Sequence, residues 1–166
     1  MVLRYLWSVL RHKWYVLVAG RRLGDIPLWR LIIHDWSKFM PAEFMHYARK
    51  FQGTVTPTVN QAFTIAWLHH ENFNPHHPGY WIPRSGRFAN IRLEMPETYV
   101  REMVADWMGA SKTYTGSWDM SDWLNKALHH HMEIMHFKSR RYVEQVLYEL
   151  YYTDQNDNFL RWRKFA

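Results

Sequence analysis

The chain has no cysteine, which excludes a disulfide scaffold, a thiolate zinc finger and a cysteine nucleophile. Glycine is scarce, seven in 166 residues, and no Walker-type or Rossmann spacing occurs, so no glycine-rich phosphate cradle is present. A nucleophile-elbow pattern is also missing. No strand-like alternation is sustained, and no internal repeat or low-complexity tract appears. Long apolar runs are absent as well. The longest clean run near the start, residues 14–20, is far short of the ~20 residues that a membrane span needs. Arg4, Arg11, His12 and Lys13 interrupt the segment before it, unlike the apolar centre of a secretory leader. The sequence therefore reads as one cytoplasmic domain over residues 1–166, with no membrane partner expected. Acids are outnumbered, 15 Asp+Glu against 21 Lys+Arg, for a net charge of +6. Such a balance points to an anionic partner such as a nucleotide, nucleic acid or acidic lipid, or to a plainly basic surface.

What the chain does carry is aromatic and imidazole side chains: 10 Trp, 10 Tyr, 9 Phe and 11 His. The rings favour an ordered core. Helical periodicity predicts an all-α bundle of about six or seven helices, over residues 2–22, 28–39, 42–51, 58–71, 97–112, 120–135 and 140–152. Val2, Tyr5, Val9, His12, Val16 and Ala19 form the predicted buried stripe of the first helix. Residues 72–97 hold four prolines and two glycines and read as one long ordered loop, with Tyr80, Trp81, Ile82 and Phe88 to anchor it. A loop of this length inside a compact domain is commonly functional. A polar break at residues 154–158 precedes a short basic end.

Several polar residues stand where core residues belong. His12 lies within an apolar stripe, His34-Asp35 follows Leu31-Ile-Ile33, His70 leads to Asn74, His76 and His77, and Asp106 lies on a largely apolar helical face. An isolated buried carboxylate is costly. Several together become reasonable around a shared divalent cation, which compensates their charge. His129-His-His131 with Glu133 and His136 reads instead as a solvated face, because three consecutive residues of a helix point in different directions. The Trp118/Trp123 stripe reads as core.

The order His12, His34-Asp35, a His cluster, then Asp106 resembles the HD-domain superfamily of metal-dependent phosphohydrolases, over residues 12–112. The stretches His34-Asp-Trp-Ser-Lys-Phe-Met-Pro-Ala-Glu-Phe44, His70-x-x-x-Asn74-x-His76-His77 and Ala105-Asp106 before Ala110-Ser-Lys112 are similar to a small uncharacterised bacterial and phage branch of it. That branch often carries a Glu shortly after the paired His, where this chain has Pro78-Gly79-Tyr80. The resemblance implies an all-α fold with His12, His34, Asp35 and Asp106 as ligands of one ion. It implies His70 with His76 or His77 as ligands of a second, bridged by Asp35. The cofactor is then one or two divalent metal ions, with Mn, Fe, Co, Mg and Zn all open. The implied activity is phosphohydrolysis of a small anionic substrate, with a nucleotide or deoxynucleotide leading. Asp35 and Lys38 are the catalytic candidates, and Lys38, Lys112, Tyr80 and Trp81 the substrate-binding ones. Nucleotidase relatives carry an acid where Lys38 stands, and a lysine suits phosphate binding better than base work. Glu43 and Glu71 are the acids that would substitute. Arg84, Arg87 and Arg92 lie in the long loop, where they would close over an anion or serve only as surface charge. Two other functions fit the same residues: an HD-type di-iron oxygenase, and a non-catalytic basic helical module with a structural metal site.

Overall fold

Two apolar clusters meet along the first helix of the computed structural model, which describes residues 1–154. The polar break and basic end beyond Asp154 lie outside the described residues. Seven α-helices are present among them: α1 (Val2–Leu23), α2 (Leu28–Ile33), α3 (Pro41–Gln52), α4 (Pro57–Phe73), α5 (Glu97–Thr115), α6 (Ser121–Ile134) and α7 (Phe137–Asp154). Short 3-10 turns occupy Trp36–Phe39 and Pro78–Trp81. The fold is all-α, with no strand among the described residues.

The inner stripe of α1 does two jobs. Tyr5 and Val9 pack with Tyr47 and Ala48 of α3 and Ala66 of α4 in a smaller cluster. Val16 and Ala19 join the main core with Val100, Met103, Val104 and Met108 of α5 and Val143 and Val146 of α7. His12 lies on the same stripe between the two. Val2, expected in that stripe, is exposed. Each fully buried Val or Met contributes about 1.5–3 kcal/mol.

α5 runs antiparallel to α1: Arg11 donates to the Thr113 carbonyl and Arg101 to the Leu23 carbonyl. Their closest approach needs Gly109, where a Cβ would lie 2.5 Å from Val16 Cγ2 and 2.9 Å from the Val16 backbone nitrogen. A glycine there lets the two helices meet backbone to backbone.

Several boundaries differ from the periodicity reading; α7, for one, begins at Phe137 rather than at the expected residue 140. The helix expected over 28–39 stops after Ile33. His34 and Asp35 form a turn in which His34 lies at φ −45° and ψ 131° and Asp35 is left-handed at φ 56°, a conformation that short polar residues tolerate best. This break turns His34 and Asp35 inward and leaves Trp36 at the surface. At the other end, α5 continues past residue 112 to Thr115, and Gly116 ends it at φ 78°.

Candidate metal centre

Four helices deliver the polar side chains to the seam between the apolar clusters. α1 supplies His12, and the break after α2 supplies His34 and Asp35. α4 supplies His70 at its last turn, and α5 supplies Glu102 and Asp106, one turn apart. Thr56 caps α4, accepting from Val59 N at 3.2 Å, with Pro57 in its first turn. At the far end of α4, Asn74 Nδ2 donates to Ser37 Oγ at 2.7 Å and to the His70 carbonyl at 2.8 Å. This tie locks α4 to the turn after Asp35 and directs His76 and His77 back toward it. The 72–97 segment thus covers the centre through its His pair.

His12, His34, Asp35 and Asp106 bring one donor atom each within 4.8 Å of one another. Asp35, His70, His76 and His77 form a second such group. Asp35 belongs to both, with one oxygen to each side. Its Oδ2 lies 3.4 Å from His12 Nε2 and 3.4 Å from His34 Nε2. Its Oδ1 lies 3.4 Å from His70 Nε2 and 3.5 Å from His76 Nε2. Asp106 Oδ1 is 2.8 Å from His12 Nε2 and 3.4 Å from His34 Nε2. His77 Nε2 is 3.0 Å from His70 Nε2, so neither His76 nor His77 is turned away.

Donor chemistry and spacing fit a cation. Bonds of about 2.1 Å place neighbouring donors roughly 3.0 Å apart at right angles and roughly 3.4 Å apart at tetrahedral angles. Despite these short separations, His12 Nε2, His34 Nε2, His76 Nε2 and Asp35 Oδ1 are buried without a hydrogen-bond partner. Each such orphan costs about 1–3 kcal/mol, and cations held by the two groups would satisfy all four.

Carboxylates behind the rings fix their orientation. Glu102 Oε1 lies 3.1 Å from His34 Nδ1 and 3.4 Å from His76 Nδ1, leaving both Nε2 atoms to face Asp35. Arg30 in turn holds Glu102 Oε2 at 2.8 Å through Nε. Glu43 does the same for α4, with Oε2 2.9 Å from His70 Nδ1 and Oε1 2.7 Å from His69 Nδ1. A carboxylate behind a ligating imidazole sets its tautomer and raises its basicity.

The electrostatics are those of a site short of positive charge. Burial opposes ionisation of Asp35, yet His34, Lys38 and His70 hold its carboxyl well below the ordinary range. Asp106 is likewise held well down, by His12 and His34 against burial, and Glu102 by His34 and His76. Burial also opposes charge on His34, but Asp35, Asp106 and Glu102 raise it well above an ordinary imidazole. His76 and His77 are pushed down by burial and by neighbouring rings, so they stay neutral, as ligands must.

Lys38 Nζ donates to Asp35 Oδ2, and this pairing holds the ammonium charged against burial. Lys13 donates to the Ile32 carbonyl at 3.1 Å and to that of His34. A cleft of about 700 Å³ opens from the centre. Asp106 and His77 lie in its lining with Trp67, Trp107, Trp123 and His131.

Three expected substrate residues lie elsewhere. Lys112 is six residues past Asp106, about 120° further round the helix, and its Nζ donates to the Gly116 carbonyl at 2.6 Å. The Trp81 ring packs 5.4 Å from Tyr99 and its Nε1 donates to the Pro75 carbonyl. Tyr80 is exposed, and neither it nor Trp81 lines the cleft. Arg84, Arg87 and Arg92 are also exposed and outside the cleft. Of the two alternative acids, Glu71 pairs with Arg84 at 3.2 Å and Glu43 is occupied by His69 and His70.

Glu102 is missed by the sequence reading; its signal is a carboxylate one turn before Asp106, an i, i+4 spacing that puts both on one face. His131 departs from the expected solvated face, whereas Trp123 packs against the core as expected and also lines the cleft. α6 turns them toward α5, with His131 5.7 Å from the Trp107 ring and 5.4 Å from Trp123. His129 does face solvent, beside Glu133.

A family model matches residues 1–149. The chain belongs to DUF5662, a family of unknown function. No curated protein matches the chain, and no solved structure matches it.

Proposed function

We propose that this chain is a metal-dependent phosphohydrolase of HD type, acting on a small phosphorylated substrate, with a nucleotide or deoxynucleotide the leading class. The observation that carries the reading is the sharing of Asp35, one oxygen toward each of two His-rich donor groups. His12, His34, Asp106 and Asp35 Oδ2 would hold one divalent ion. His70, His76, His77 and Asp35 Oδ1 would hold the second. When bound, such a pair supplies an activated water and neutralises charge on a phosphoryl group.

The chain's own residues do the rest. Glu102 and Glu43 keep the imidazoles oriented, which preserves the site's shape through turnover. Asp106 and His77, shared between cluster and cleft, put the reacting end of a substrate at the cleft floor. Trp67, Trp107 and Trp123 offer flat apolar walls to a base or other ring. Lys38 carries a permanent cation beside Asp35, suited to a phosphate oxygen once that carboxylate is engaged elsewhere. His131 and Lys126 line the cleft and can donate hydrogen bonds to the remaining phosphate oxygens.

Metal analysis of the purified chain, joined to a nucleotide panel read by phosphate and pyrophosphate release, tests the reading. Two divalent ions per chain and metal-dependent release are expected. Bound iron with oxygen consumption and no phosphate release would replace hydrolysis by oxygenation. Metal binding without either reaction would leave a structural site.

A further inference from the structure

α1 is apolar on two opposite faces, and only one of them is covered. At 3.6 residues per turn, Leu3, Trp7, Leu10 and Trp14 fall within an arc of roughly 60°, diametrically opposite the buried stripe. All four are exposed, Trp7 by 64% and Trp14 by 61%. α2 continues the surface: Trp29 and Ile32 are exposed, Trp36 follows, and Lys13 of α1 bonds the Ile32 carbonyl. An exposed apolar surface of this extent marks an interaction site.

Charge decides the occupant. Residues 1–34 hold six basic side chains, Arg4, Arg11, Lys13, Arg21, Arg22 and Arg30, against one acid, Asp25. They carry a net +5 of the chain's +6. Arg30 is paired with Glu102, whereas Arg11 and Lys13 bond to carbonyls and keep their charge. A second copy docking through the same face would set these basic flanks against one another. Residues 155–166 are net basic by sequence as well. Tryptophans flanked by Arg and Lys on a helix lying along a surface match the interface of an anionic bilayer.

We infer that the outer face of α1, with α2, is a peripheral docking site for membranes rich in acidic lipid. No helix of the described residues is long and apolar enough to cross a membrane, and interfacial binding needs none. The absence of a span-length run, which led to the expectation of no membrane partner, does not bear on this mode. The inference is independent of the phosphohydrolase reading, since it uses none of the buried cluster.

The test is co-sedimentation of the full chain with vesicles of phosphatidylcholine alone and of phosphatidylcholine mixed with phosphatidylglycerol. Binding to the mixed vesicles is expected, at least tenfold tighter than to phosphatidylcholine alone and weakening with added salt. Tryptophan emission should shift to the blue on binding. Trp7→Ser with Trp14→Ser should reduce the partition coefficient at least tenfold. If that variant loses helicity, Arg4→Glu with Arg21→Glu, both at exposed positions, gives the same reading through charge. Failure to bind mixed vesicles, or equal binding to both compositions, overturns the inference. A dimer in sedimentation that Trp7→Ser with Trp14→Ser disperses would assign the face to a second copy instead.

Discussion

Replacing Asp35 with Asn should remove two properties at once: the pairing that keeps the ion-free cluster stable, and the response of the protein to metal. The side chain is 1% exposed, and its Oδ2 receives Lys38 while facing His12 and His34. Asparagine keeps the size but leaves Lys38 without its counter-charge. Removing one partner of a buried pair costs about 3–5 kcal/mol. At roughly 2–4 °C per kcal/mol for a domain of this length, the ion-free Tm should fall by roughly 6–20 °C. A divalent ion at a hundredfold excess over Kd adds about 2.7 kcal/mol, or roughly 5–11 °C on the same scale. Wild-type protein should show that rise with manganese, and Asp35→Asn should show none, because the shared ligand of both groups is gone. Thermal melts followed by circular dichroism, with and without the ion, read both quantities. A variant that keeps the full metal-induced rise would refute the placement of Asp35 between two ions. A wild-type ion-free Tm would refute the buried pairing.

Four further outcomes follow from the same geometry. Glu102→Gln should keep the fold but weaken metal affinity by about 10–100-fold, measured by competition with a chelator, since His34 and His76 lose the carboxylate charge that raises their basicity. Lys38→Ala should retain metal by elemental analysis and raise KM, because its charge is needed when an anionic substrate arrives. Gly109→Ala should cost about 1–3 kcal/mol in urea unfolding, as its methyl would press on the Val16 backbone, and should weaken metal binding by moving Asp106 away from His12. The last concerns pH. The lowered imidazole of His77 contributes stability that is complete above the unfolded value near about 6.5 and is lost as pH falls toward its folded value. Ion-free unfolding free energy should therefore decline on acidification below about pH 6.5, and His77→Gln should flatten that slope. The raised His34 acts in the opposite sense, losing its contribution as pH rises through its folded value. Stability measured at several pH values separates the two.

Much of the helical plan was legible because α1, α4 and α5 bury stripes at helical spacing, and because Pro57, Pro96 and Gly116 punctuate them. His12 stood out as an imidazole in an apolar stripe, and Asp106 as a carboxylate on a buried face. Periodicity was silent where backbone conformation departed from it. The left-handed Asp35 splits one expected helix into α2 and a 3-10 turn, and the side-chain pattern of residues 28–39 carries no trace of that. Lys112 and Trp81 were misplaced because being near Asp106 in sequence, or in a loop beside His76, does not decide which way a side chain faces.

Local chemistry, then, determined the helix content, the stripes and the set of residues able to bind a cation, since these depend on residue type and on spacings within one helix. Tertiary structure alone decided the partnerships. That one oxygen of Asp35 faces His12 and His34 and the other faces His70 and His76 depends on three separate features. Gly109 lets α5 close on α1, Asn74 ties α4 to Ser37, and the turn at Asp35 points the carboxylate between them. The same packing brought Glu102 behind two imidazoles and His131 to the cleft, and left the outer face of α1 bare. Contacts between residues far apart along the chain, as from Arg11 to Thr113 over 102 positions or from His12 to Asp106, arise from the docking of helix faces, and a linear pattern does not contain that docking.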